Sequence, residues 1–191
     1  MITSIPIAAL ITSTVAVSLF IAKEIRESIK KKKSNKIMLN GLCYMIQEQV
    51  NFNEAIIKEL LKIKKNVNND EYDSWSVERI ESNSYITFKK EGKSKKGSLI
   101  TMPKYNFFEK EIKELSILDE ELFNRTIELI SAMQALHIEV TALLVMLHEN
   151  KKDSKSLGKF LSMFDDKINK LYIPALLSVR SRCELITKKP N

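Results

Sequence analysis

The first 22 residues, MITSIPIAALITSTVAVSLFIA, carry no charged side chain, and KEIRESIKKKK comes directly after them. At 1.5 Å per residue such a run makes a helix of roughly 30 Å, about the thickness of the hydrocarbon core of a bilayer. A secretory signal places basic residues ahead of its apolar core. Here the order is reversed, with Lys30, Lys31, Lys32 and Lys33 beyond the run. By the positive-inside rule the sequence predicts a single-pass anchor over 1–22, with the amino terminus outside. On that reading the protein sits in an inner or plasma membrane. Residues 23–35 are a basic juxtamembrane segment and 36–191 a cytosolic domain.

The charge distribution shows the same division. The formal net charge is +7, yet residues 23–36 alone hold seven Lys or Arg against two Glu. Lys23, Arg26, Lys30, Lys31, Lys32 and Lys33 are thus the expected membrane-surface residues, at roughly 1 kcal/mol each near anionic headgroups. Because the excess is local, the basic character of the chain as a whole argues little for nucleic acid. Ser4, Ala8, Thr12 and Ala16 recur every fourth residue within the apolar run. Small residues at this spacing let helices approach closely in lipid, which makes them a candidate self-association face.

Only four Gly and four Pro interrupt the 191 residues, which favours long helices. Ser34 and Asn35 offer a break, after which Leu39, Leu42, Ile46, Ile56 or Ile57, and Leu60 or Leu61 predict an amphipathic helix to about Lys65. The stretch 74–102 has another texture. Trp75–Glu81, Ser84–Lys90 and Ser98–Met102 are short β-branched and aromatic segments, and they predict a small antiparallel insertion.

From Asn106 helical spacing returns. The strongest seam in the chain is Leu122, Thr126, Leu129, Met133, Leu136, Val140, Leu143 and Leu147, widened by Phe123, Ile127, Ile130 and Leu144. A stripe this broad suits a bundle better than a two-stranded coil. A last helix is expected from Leu157, kinked or restarted at Pro174, which cannot donate a backbone hydrogen bond. The expected fold is therefore mainly α: one N-terminal transmembrane helix and a cytosolic three- to four-helix bundle with a small antiparallel β insertion.

Chemical motifs are scarce. No GxSxG, GxxxxGK[ST] or GxGxxG string occurs. His137 and His148 are three turns apart on one expected helix, some 16 Å, too far to share an ion. Neither has a Glu three residues before it, as a di-iron bundle requires. Cys43 and Cys183 lie far apart in the chain and read as buried free thiols. Asp165–Asp166 and Asp119–Glu121 read as ordinary helix-end acids. The lysine-rich stretch Phe88–Lys104, with Lys89, Lys90, Lys93, Lys95 and Lys96, is a candidate anion or lipid contact, weighed against edge-strand protection.

No cofactor and no enzymatic activity are indicated. The expected function is a membrane-tethered cytosolic scaffold, sensor or regulatory protein that acts through helical protein–protein contacts. Its expected partners are membrane lipid and another protein or a second copy. The alternative is a membrane effector that oligomerises through its transmembrane helix.

Overall fold

The computed structural model describes residues 7–68, 71–80, 83–107, 109–148 and 155–188; the side chains of 7–14, 80, 109, 155 and 156 are excepted. The elements are α1 (Ile7–Val67), β1 (Ser74–Ile80), β2 (Asn83–Lys90), β3 (Lys93–Ile100), α2 (Glu109–Leu118), α3 (Glu120–His148), α4 (Lys155–Lys167), a π-helical turn (Ile168–Tyr172) and α5 (Ile173–Lys188). The fold is mainly α. The chain divides into two compact units, residues 1–41 and 42–191.

Two expectations about the first unit are corrected. The break at Ser34–Asn35 does not occur, because α1 runs for 61 residues without interruption. Neither residue forbids a helix, and Lys30–Lys33 before them are good helix formers. The N-terminal transmembrane anchor is not supported, nor is the single-pass, N-outside placement in an inner or plasma membrane that depended on it. From Ile7 onward the charge-free run is the opening of a helix that passes straight through the lysine cluster. Among the described residues, the one helix long and apolar enough to cross a membrane is α3, at mean hydropathy 1.7, in the middle of the chain.

In the second unit, α1 buries Leu42, Cys43, Ile46, Val50, Asn53, Ile56, Ile57, Leu60, Ile63 and Val67. These positions recur every three or four residues and form one stripe. The helix α3 buries Leu122, Thr126, Leu129, Ala132, Met133, Leu136, Val140, Leu143 and Leu147, so its seam faces inward along its whole length. The second row is covered less completely: Phe123, Ile130 and Leu144 are half-buried and Ile127 is exposed. Against the seam pack α5, α2, α4, the π turn and β1.

The three strands form one antiparallel sheet in the order β1-β2-β3. Alternation sets which face is covered: Ile86 and Phe88 are buried, whereas Tyr85 is exposed and Thr87 half-buried. Trp75 pairs with Phe88 across β1 and β2. The Trp75 ring is 1 % exposed, and its Nε1–H donates to the Leu147 carbonyl at the end of α3, at 2.9 Å. That bond satisfies one of the orphan carbonyls of a helix terminus. The β2–β3 turn is Glu91-Gly92, both at positive φ (52° and 71°), the two-residue form that matches strand twist. At Gly97 any Cβ would run into the Tyr85 ring that lies over it.

Buried polar pairs tie the elements together. Asn53, fully buried, accepts from the Lys104 N–H at 2.9 Å and donates to the Lys104 carbonyl at 2.7 Å. This two-way bond holds the extended segment 101–107 on α1. Helix α2 starts at Glu109, three residues later than Asn106, because that segment is in use. Asp119 separates α2 from α3 and caps the latter, accepting from the Leu122 N–H at 2.7 Å. Before Pro174 the helix widens to a π turn, in which the Ile173 N–H reaches back to the Ile168 carbonyl. The wide turn is how the chain passes the proline, where the sequence predicts a kink or restart.

Candidate interaction surfaces

The basic residues single out the first unit. Every described side chain from Val15 to Ser34 is exposed. Val15, Val17, Leu19, Phe20, Ile21, Ile25 and Ile29 each have more than half of their surface in solvent. Lys23, Arg26, Lys30, Lys31, Lys32 and Lys33 interleave with them or succeed them, all exposed. The Lys23–Glu27 ion pair at 3.9 Å has both partners largely in solvent and so takes little of this charge out of play. An apolar and cationic surface on one continuous helix is therefore available to a partner. Of the proposed small-residue face, Ala16 is exposed. Ser4 and the side chains of Ala8 and Thr12 lie outside the described residues.

The hairpin lysines fall on strands, not in a loop. Lys90 pairs with Lys93 at the turn, and Lys89 pairs with Ser94 after a register shift. Lys90, Lys93, Lys95 and Lys96 are exposed, Lys89 half-buried. Lys96 donates to Asn66 Oδ1 at 3.3 Å. β3 is an edge strand, so its lysines also discourage pairing with another chain.

The two histidines line one open cleft of about 810 Å³ between α3 and the sheet, with Val77, Arg79, Ser84, Met102, Thr141, Leu144 and Val145. His137 stands edge-on to Tyr105 at 5.7 Å between ring centroids, and its Nδ1 is buried without a hydrogen-bond partner. Ile138 on α3 is 69 % exposed, and Val145, at the rim of the cleft, 57 %. Among the described residues, no group of three or more His, Cys, Asp or Glu could hold a metal ion.

Asp119, Glu121, Asp165 and Asp166 are all engaged in ion pairs, and those of Asp119, Glu121 and Asp165 tie helices together. Asp119 takes a two-pronged contact from Arg182 (Nε 3.2 Å, Nη2 2.7 Å), and Arg182 Nη1 reaches Glu121 at 2.7 Å. Asp165 pairs with Lys64 at 2.8 Å and Asp166 with Lys170 at 2.7 Å. Glu139 holds both Lys167 and the Tyr172 hydroxyl, the latter at 2.6 Å. Arg180 bonds Glu54 at 2.6 Å and Asn51 at 3.0 Å, joining α5 to α1. The Arg180 guanidinium holds the Glu54 carboxyl below its usual range.

One association was not legible in the chain. Cys43 on α1 and Cys183 on α5 both lie in the core, 0 % exposed and both free thiols. The influence of each on the other lowers the Cys43 thiol and, with burial, pushes the Cys183 thiol up. The only signal was that each sulfur falls on the apolar stripe of its helix, which is a necessary condition for contact and not a sufficient one.

The chain matches no protein-family model, no curated protein and no solved structure. The class that the fold defines is accordingly a coarse one: a mostly helical domain with one membrane-length apolar helix and helix-to-helix ion pairs.

Proposed function

We propose that this protein is a helical scaffold or regulatory subunit that works at an anionic membrane surface, with α1 supplying the lipid contact and α3 the protein contact. The observation that carries the reading is the fully exposed run of apolar and basic side chains between Val15 and Lys33. A helix with exposed apolar residues and adjoining lysines binds a headgroup layer by burying the former and neutralising charge with the latter. Ile138 and Val145, both exposed on α3, are the side chains offered to a protein partner. Nothing in this reading requires catalysis.

Vesicle co-sedimentation of the full chain tests it. Vesicles rich in phosphatidylglycerol should retain the protein, with affinity falling as salt rises. Replacing Lys30, Lys31, Lys32 and Lys33 by Gln should weaken binding by roughly 1,000-fold, at about 1 kcal/mol for each lysine. Equal retention by purely phosphatidylcholine vesicles, or no loss in the four-lysine variant, would overturn the proposal.

A further inference from the structure

The lipid and protein contacts proposed above give no role to the polar side chains of the cleft between α3 and the sheet. Alternation along β1 puts Trp75, Val77 and Arg79 on one face, opposite Phe88, Ile86 and Ser84 of β2. Trp75, Phe88 and Ile86 are at most 1 % exposed, so this is the face that covers the core. Its row ends on a guanidinium and a hydroxyl rather than on another apolar pair. Trp75 fixes β1 to α3 through its 2.9 Å bond to the Leu147 carbonyl. From α3, His137, Leu144 and His148 follow at spacings of seven and four, on one helical face, and line the same cleft. Among the described residues no carboxylate lines it, and Arg79 has no acidic partner. Glu139, the nearby acid of α3, is engaged instead by Lys167 and Tyr172.

We propose that this cleft is a binding site for a small aliphatic monocarboxylate, with its head on Arg79 and Ser84 and its chain along Met102 and Leu144. Arg79 brings one permanent positive charge, which one carboxylate neutralises. Its planar guanidinium presents paired donors at the spacing of the two carboxylate oxygens. The Ser84 hydroxyl, on the residue opposite Arg79 in the sheet, donates beside it. His137 bounds the site on the α3 side, held edge-on to Tyr105 at 5.7 Å, and its Nδ1 has no hydrogen-bond partner. A volume of about 810 Å³ falls within the range of small-molecule sites, where apolar walls supply affinity and a few polar groups fix orientation.

His137 and His148 are the two histidines of the chain, so the imidazole resonances of the full chain report on this cleft alone. Titration with sodium octanoate should move both along one saturable curve, with a midpoint of roughly 1 mM or tighter. Arg79→Gln, at an exposed side chain, should raise that midpoint by about tenfold or more. Octan-1-ol and acetate, which each lack half of the ligand, should bind at least about tenfold more weakly. Replacing Lys30, Lys31, Lys32 and Lys33 by Gln should leave the curve unchanged. Loss of binding in that variant would put the anion on α1 and overturn the proposal. So would shifts that never saturate, an unaltered midpoint in Arg79→Gln, or tighter binding of octyl phosphate than of octanoate. Should Arg79→Gln not fold, the wild type decides alone, and equal binding of octanoate and octan-1-ol sinks the assignment.

Discussion

The early part of α1 and the middle of α3 are both rich in apolar residues, yet they meet opposite fates. From Val15 to Ile29 the apolar side chains of α1 stand in solvent. In α3 nine residues, from Leu122 to Leu147, are buried. The difference is one of spacing and neighbours rather than of hydropathy. The α3 seam keeps a three-four repeat for the whole helix, and α5, α2, α4 and β1 are there to cover it. Apolar length by itself reports that a helix needs cover and is silent on what provides it. The same ambiguity explains how α3 can have the length and hydropathy of a membrane span while serving as the central helix of the second unit.

The sharpest way to break this comparison is to remove one side chain from each helix. Leu136→Ala in α3, at a position with 0 % exposure, should destabilise the protein by about 2–5 kcal/mol in urea unfolding. A loss below about 1 kcal/mol would mean that the seam is not the core.

Asp119→Ala is expected to come next, at about 1–3 kcal/mol in the same measurement. It removes the cap of α3 and leaves Arg182 without its main partner. Asp119→Asn should recover part of the loss, since the amide oxygen can still accept from the Leu122 N–H.

Tyr172→Phe is smaller, about 1 kcal/mol at neutral pH, and its pH dependence has a fixed sign. Burial, with help from Glu139, raises the phenol above its ordinary value of 10.0. The unfolded phenol therefore ionises first. Stability contributed by the neutral hydroxyl is complete below about pH 10 and falls as pH climbs past that value. Thermal melts of both proteins between about pH 8 and pH 11 should show the wild type losing its advantage over Tyr172→Phe. A difference that is flat or grows would contradict the assignment.

The smallest effect belongs to the exposed helix. Ile25→Ala, at a side chain 55 % exposed, should change urea stability by no more than about 0.5 kcal/mol while weakening vesicle retention. A core-sized loss of stability there would erase the contrast between the two helices.

Much of the second unit can be traced to local patterning. The α3 seam from Leu122 to Leu147 comes from its repeat, and β2 from the alternation of Tyr85 and Thr87 with Ile86 and Phe88. Other features have no local signature. Ser34 and Asn35 suit a cap and a helix interior alike, so these two residues alone do not decide whether α1 continues. Lys93, Ser94, Lys95 and Lys96 carry no β-branched or aromatic signal, yet they are strand because the turn takes only Glu91 and Gly92. Asp119, Asp165 and Glu139 look alike as surface acids. Their roles depend on Arg182, Lys64 and Tyr172, which are remote in the chain.

The sequence by itself determined where helices and strands can form and which stripe of each is apolar, because those depend on neighbours three, four or two residues away. It also located the cluster of positive charge. Only the tertiary structure decided which apolar stripes are covered, which acid meets which base, and that Cys43 and Cys183 lie in one core. Those outcomes depend on contacts between residues distant in the chain, and no short-range pattern encodes a distance across the core.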